Sequence, residues 1–117
     1  MSIITIILAT LVALEHFYIM YLETIATQSP ATARVFNMSQ EELTRDSVSK
    51  LFKNQGIYNG LIGVFLLFGL VIANETLVMV FLLNVVLAAA YGALTADKKI
   101  LLTQGGLAIL ALGTMLF

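Results

Sequence analysis

Glu15 and His16 stand side by side, with a second carboxylate at Glu23, inside an apolar run from about Ile3 to Ala26. A carboxyl and an imidazole are well suited to passing a proton near neutral pH, because removal from water favours the uncharged form of each. An ionisable group at membrane depth costs about 2.5 to 3.5 kcal/mol on insertion scales, so both need compensation from partners or from water. We therefore read Glu15 and His16 as the candidate catalytic pair, either one able to act as general base. The residues do not read as a metal or haem centre. His16 and Glu23 are separated by about 10 Å along a helix axis, too far to share one ion. Glu15 and His16 diverge by about 100°. The single histidine excludes bis-imidazole haem, and a di-iron carboxylate bundle wants Glu-x-x-His on each of two helices. No metal and no cofactor is expected.

These residues sit in a chain that is 60% hydrophobic and 11% charged over 117 residues, with a mean hydropathy of +0.98. Ordinary soluble domains are about 25% charged, so a chain of this kind cannot cover a water-facing surface and lipid is its solvent. A net charge of −1 without a clustered basic face gives no reason to expect nucleic acid. The absence of cysteine removes disulfides, thiol catalysis, iron–sulfur clusters and thiolate zinc sites together. Met1 to Thr5 carries no basic residue and the apolar run is too long for a signal-peptide core, so the first segment reads as a permanent helix.

Four apolar stretches run over about 3–26, 54–73, 77–95 and 100–117. Each is near the roughly 18 to 20 residues needed to cross a bilayer, where only helices or closed barrels can pair the backbone. The expected fold is all-α, a single-domain integral membrane four-helix bundle over 1–117. Arg34, Arg45, Lys50 and Lys53 lie between the first two stretches, and Lys98 and Lys99 between the last two. Basic connectors stay cytoplasmic. Both termini are thus expected outside the cytoplasm, and connectors 27–53 and 96–99 inside it.

Within the first connector, Ser29-Pro30 is expected to end the first helix, since proline disfavours helix in the residue before it. Ser39-Gln40-Glu41-Glu42 reads as a capping box opening a short helix. Leu43, Val48, Leu51 and Phe52 would be its apolar side, with Arg45, Lys50 and Lys53 near headgroups. That pattern fits an interfacial helix or a solvated linker helix. Asn54-Gln55-Gly56 and Thr103-Gln104-Gly105 echo one another weakly, the mark of two related hairpins if a true repeat.

At 100° per residue, Glu15, His16 and Glu23 share an arc of roughly 100° on the first helix. On the second, Asn54, Gln55, Tyr58 and Asn59 share about 140°, and Gly56, Gly60 and Gly63 cluster on another side. That glycine side reads as a packing face. Asn84, Ala88, Tyr91 and Thr95 form one stripe on the third helix, and Gln104, Ala108 and Ala111 one side of the fourth. Each helix is expected to turn this polar or small side inward. Depth sorts the polar groups into two layers. Glu23, Tyr58, Asn59, Tyr91 and Gln104 lie roughly 4 to 8 Å from the cytoplasmic ends, and Glu15, His16 and Asn84 roughly 15 to 17 Å. The candidate ligand-binding residues are therefore Glu23, Asn54, Gln55, Tyr58, Asn59, Asn84, Tyr91 and Gln104. Plainer roles stand beside these. Asn84 and Gln104 also fit interhelical glue, worth about 0.6 kcal/mol. Tyr18 and Tyr21 fit an aromatic belt, and Glu23 could pair with Lys53 or Arg45.

Leu14-Glu15-His16 with Tyr18 and Tyr21-Leu22-Glu23, then Asn54-Gln55-Gly56-Ile57-Tyr58-Asn59-Gly60, then Tyr91-Gly92-Ala93 with Thr95, then Gln104-Gly105, resemble the bacterial family catalogued as domain of unknown function 1304. The resemblance covers nearly the whole chain, and the Asn-Gln-Gly-x-Tyr-Asn-Gly block is its specific part. The family pattern commonly has proline and alanine one residue after the last Gln-Gly. Here Gly106-Leu107-Ala108 intervenes without proline, which leaves the start of that helix open. The resemblance implies a small integral membrane protein and carries no activity.

Three functions remain open on these residues. The bundle, as a monomer or homodimer in the lipid bilayer, binds a lipid-soluble small molecule in a cytoplasm-facing polar pocket and carries it or acts on it by proton transfer. Alternatively it is a proton-coupled exporter like the small multidrug resistance transporters, by analogy of length, span number and a glutamate in the first span. This chain has no tryptophan and a one-sided Lys/Arg distribution, both unlike those transporters. In the third, it is a structural or regulatory partner of another membrane protein, docking through the first connector.

Overall fold

The computed structural model describes residues 1–117, all of whose regular structure is helical. The order is α1 (Ile3–Thr24), α2 (Pro30–Phe36), α3 (Gln40–Leu43), α4 (Asp46–Val71), α5 (Glu75–Thr95) and α6 (Lys99–Met115). Helices α1, α4 and α5, of 22, 26 and 21 residues, are long and apolar enough to cross a membrane. Helix α6 is apolar but shorter, at 17 residues. The chain forms two compact units, one of Met1–Glu15 with Gly63–Phe117, the other of His16–Ile62.

In the unit His16–Ile62, the boundaries differ from the sequence expectation in three places. Helix α1 stops at Thr24, before the end of the apolar run at Ala26. Ser29-Pro30 opens α2 rather than closing α1: the Ser29 hydroxyl accepts from the Thr32 amide at 3.2 Å and proline takes the first turn. Proline suits that position because its missing N–H has no intrahelical partner to lose. Helix α4 begins at Asp46, well ahead of the apolar stretch from residue 54. Asp46 favours a helix N-terminus, and it pairs with Lys50 one turn on at 3.0 Å.

The serine half of the capping box is present, the Ser39 hydroxyl accepting from the Glu42 amide at 3.1 Å, while the Glu42 carboxylate turns to Arg45 at 3.3 Å. The helix it opens is only Gln40–Leu43, because Thr44 and Arg45 break the chain before α4. Val48, Leu51 and Phe52 consequently belong to α4. Leu43 is fully buried, Leu51 is exposed, and the Phe52 ring meets Phe36 edge to face at 5.1 Å. Thr32 is buried, and its hydroxyl lies 2.6 Å from the Ala26 carbonyl and 3.2 Å from that of Leu22. It thereby serves the Leu22 carbonyl, whose i+4 amide at Ala26 turns to Tyr21 instead, and is a second donor to the Ala26 carbonyl, which also accepts from the Ser29 amide at 3.0 Å.

The glycines of α4 set the approach of α1. A Cβ at Gly56 would overlap Thr24 Cγ2 and stand 3.1 Å from Glu23 Cβ and 3.3 Å from the Met20 carbonyl, and one at Gly60 would meet the Met20 sulfur. Such closeness is available only to a residue without a side chain.

In the other unit, the core is built from Ala9, Val12 and Ala13 of α1, Leu66 of α4, Val78, Leu82, Val85 and Ala89 of α5, and Ala108 and Ala111 of α6. Small residues again bring backbones together, a Cβ at Gly105 standing 3.0 Å from that of Ala89. Between α4 and α5, Ala73 takes the left-handed conformation at φ 52°, and Asn74 caps α5 by accepting from the Leu77 amide at 3.0 Å. The Thr5 and Thr114 hydroxyls tie α1 to α6 at 2.7 Å.

Candidate functional site

Helix α1 buries Thr5, Ala9, Val12, Ala13, His16, Ile19, Leu22 and Glu23. Steps of three and four residues make this one continuous side of the helix. His16 is 4% exposed and Glu23 3%, so the imidazole and the second carboxylate lie on the buried side, as the arc reading expects. His16 is engaged with its surroundings. Glu15 is half-buried at the edge of that side. Its Oε1 is buried and has no hydrogen-bond partner.

Glu23 does not pair with Lys53 or Arg45. The Asn59 amide donates to Glu23 Oε1 at 2.6 Å, and also lies 3.3 Å from the Gln55 carbonyl. Arg45 instead faces Glu42 at 3.3 Å. The glycine side of α4 is the cause: Gly56 and Gly60 face α1 and are buried, which leaves Asn59 at the edge of the contact, within reach of Glu23. The same rotation turns the rest of the polar arc away. Asn54 and Gln55 are exposed, and Tyr58 is 60% exposed. The expected inward polar face of the second apolar stretch is therefore not what packs, because backbone approach at glycine outcompetes bulky polar side chains for the interior.

The α5 stripe also faces out. Asn84, Ala88 and Thr95 are exposed, and Tyr91 is 68% exposed. The opposite side, Val78, Leu82, Val85 and Ala89, is buried. Branched apolar side chains there fill the core more completely than an asparagine and a tyrosine can. On α6, Gln104 is half-buried while Gly105, Ala108 and Ala111 are buried. Tyr18 and Tyr21 are about half exposed on α1, at 53% and 47%.

Three contacts escape a sequence reading. The Thr32 hydroxyl reaches back 6 and 10 residues to the end of α1, and the Thr5–Thr114 hydroxyl pair and the Thr24–Gly56 approach join residues distant in the chain. Only the glycine spacing signals any of them. The structure contains no group of three or more His, Asp or Glu side chains placed to hold a metal ion.

Residues 10–116 match the family described as "Protein of unknown function (DUF1304)". The chain belongs to the DUF1304 family. Every candidate residue named above, from Glu15 to Gln104, falls inside the matched DUF1304 region. The chain is also similar to the "Uncharacterized protein YpaA" of Lactococcus lactis subsp. lactis (strain IL1403), 60% identical over 119 residues and covering 100% of both chains. No solved structure shows a significant match to this DUF1304 chain.

Proposed function

We propose that this DUF1304 protein is a four-span membrane protein that holds the hydrogen-bond donor of a lipid-soluble small molecule at Glu15. The observation that carries this reading is the buried, unpartnered Glu15 Oε1 midway along α1. A buried acceptor without a donor is costly to maintain, and at membrane depth the cost is higher still. A ligand N–H or O–H supplied from the lipid phase would remove that cost once the side chains covering the oxygen moved aside. In this reading the carboxyl orients the ligand and accepts or returns its proton.

The reading includes α6 as the fourth span. Its 17 residues cover about 25 Å, which with Leu116 and Phe117 approaches the hydrocarbon thickness of about 30 Å. In this reading all six Lys and Arg residues, within 34–53 and 98–99, fall in two connectors and the helix ends next to them on one side of the membrane, which would leave both termini outside the cytoplasm. Alkaline phosphatase fused after Phe117 is expected to be active, and a reporter that matures only in the cytoplasm inactive at the same position. The reverse pattern would overturn the topology.

For the site, protein purified from its own membrane in mild detergent is expected to carry a small molecule visible by native mass spectrometry. Glu15→Gln keeps the size of the side chain but replaces one acceptor oxygen with a donor amide. It is expected to lower occupancy at least tenfold without changing the thermal midpoint by more than a few degrees. Equal occupancy in both proteins would sink the proposal.

A further inference from the structure

Asn84 lies near the middle of α5, with Glu75 and Thr95 as the ends of the helix, about 14 and 16 Å away along the axis. Its side chain is exposed. In a spanning helix such a position meets hydrocarbon, which offers a carboxamide neither donor nor acceptor. Ala88, Tyr91 and Thr95, one, two and three turns further on, are exposed along the same side. The Thr95 hydroxyl is already satisfied by the Tyr91 carbonyl at 2.8 Å. The Tyr91 hydroxyl lies within about 6 Å of the end of α5, where a tyrosine reaches interfacial water. Asn84 is thus the group on this face that meets hydrocarbon and calls for a partner, and the small Ala88 beside it leaves room for another backbone to come close.

We infer that this face of α5 is covered by the same face of a second copy of the chain, the two Asn84 carboxamides exchanging hydrogen bonds across a twofold axis along the membrane normal. Self-pairing follows from the chemistry of the group, which carries both donors and an acceptor and so complements itself. The one-sided Lys and Arg distribution makes every copy insert the same way round. A twofold axis between identically inserted copies then brings Asn84 to Asn84 at one depth, because an isologous contact pairs each residue with its own equivalent. A lipid chain cannot supply the missing hydrogen bonds, and a water-soluble partner cannot reach this depth. The inference uses no residue of the Glu15 site and stands or falls separately from it.

The chain contains no cysteine, so a disulfide in a single-cysteine variant reports on one position. Full-length N84C oxidised with copper phenanthroline in its native membrane is expected to give a disulfide-linked dimer. Leu83→Cys, also exposed but on the side shared with Ile109 and Leu112 of α6, is expected to cross-link at least fivefold less. In vesicles of phosphatidylethanolamine and phosphatidylglycerol, energy transfer between labelled copies should show association weakened about tenfold by Asn84→Leu and largely kept by Asn84→Gln. Leucine favours a lipid-facing position, so the Asn84→Leu protein still inserts. Absence of the N84C dimer, equal cross-linking at 83 and 84, a cross-link to a different protein in its place, or unchanged association of Asn84→Leu would each overturn the inference.

Discussion

Gly56→Leu is expected to separate α1 from α4 and to cost more than about 3 kcal/mol, the upper end of ordinary overpacking. The three atoms nearest a side chain at Gly56 belong to Thr24, to Glu23 Cβ and to the Met20 carbonyl. The last two cannot move without moving the backbone of α1. Gly56→Ala already meets these neighbours and should lose about 1 to 3 kcal/mol. At Gly60 the obstruction is chiefly the Met20 sulfur, the flexible end of a side chain, so Gly60→Ala should cost less than Gly56→Ala. At Gly106 a Cβ meets nothing within 4 Å. Gly106→Ala should therefore be neutral, or gain up to about 1 kcal/mol from helix propensity. Thermal unfolding of the four variants in one detergent gives the ranking directly. Equal midpoints for Gly56→Leu and Gly106→Ala would show that the close approach at Gly56 does not hold these helices together.

Asn59→Leu should be nearly as damaging, for a different reason. It removes the donor that meets Glu23 Oε1 at 2.6 Å and leaves a carboxyl that is 3% exposed without that partner. Loss of one member of a buried polar pair costs about 1 to 3 kcal/mol, more where the survivor is charged, whereas replacing both members with apolar groups of similar shape can be close to neutral. The double variant Glu23→Leu with Asn59→Leu is therefore expected to recover most of the stability lost by Asn59→Leu alone. Glu23→Gln keeps an acceptor oxygen and should lose less than Asn59→Leu. A double variant no more stable than the sum of its single changes would mean that the two side chains are not energetically coupled.

The outcomes expected at Gly56 and Asn59 bear on one question, which is what turns α4 about its own axis. The block Asn54 to Gly60 contains a polar arc and a glycine arc side by side, and periodicity describes both equally well. Either could face a neighbour. What settles the matter is the depth to which another helix can approach. At Gly56 and Gly60 the neighbour comes within the radius that any side chain would occupy, and only Asn59, at the margin, remains close enough to reach across. The stripe on α5 follows the same logic. Asn84, Ala88, Tyr91 and Thr95 recur at helical spacing, as do Val78, Leu82, Val85 and Ala89, and only packing tells the buried set from the exposed one.

Local chemistry was legible at the helix starts, where one residue answers for one unpaired donor. The Ser39 cap needed only the serine and the amide three residues on. It failed at Pro30, where the rule that proline disfavours helix before it and the rule that proline favours the first turn apply to the same dipeptide. Helix α1 already ends at Thr24, so at Ser29-Pro30 only the second rule has a helix to act on.

By itself, the sequence determined the helical class, the length and apolarity that suit α1, α4 and α5 to crossing a membrane, the family, and the presence of a carboxylate and an imidazole within the first apolar run, since each depends on composition, run length or spacing along one segment. Tertiary structure alone decided that Glu23 meets Asn59 rather than a lysine or arginine, that Glu15 keeps a buried oxygen unpartnered, and that the Asn84 stripe turns outward. A helical period gives the angle between residues on one helix but not the rotation of that helix against its neighbours, which is set by the fit of side chains from segments far apart in the chain.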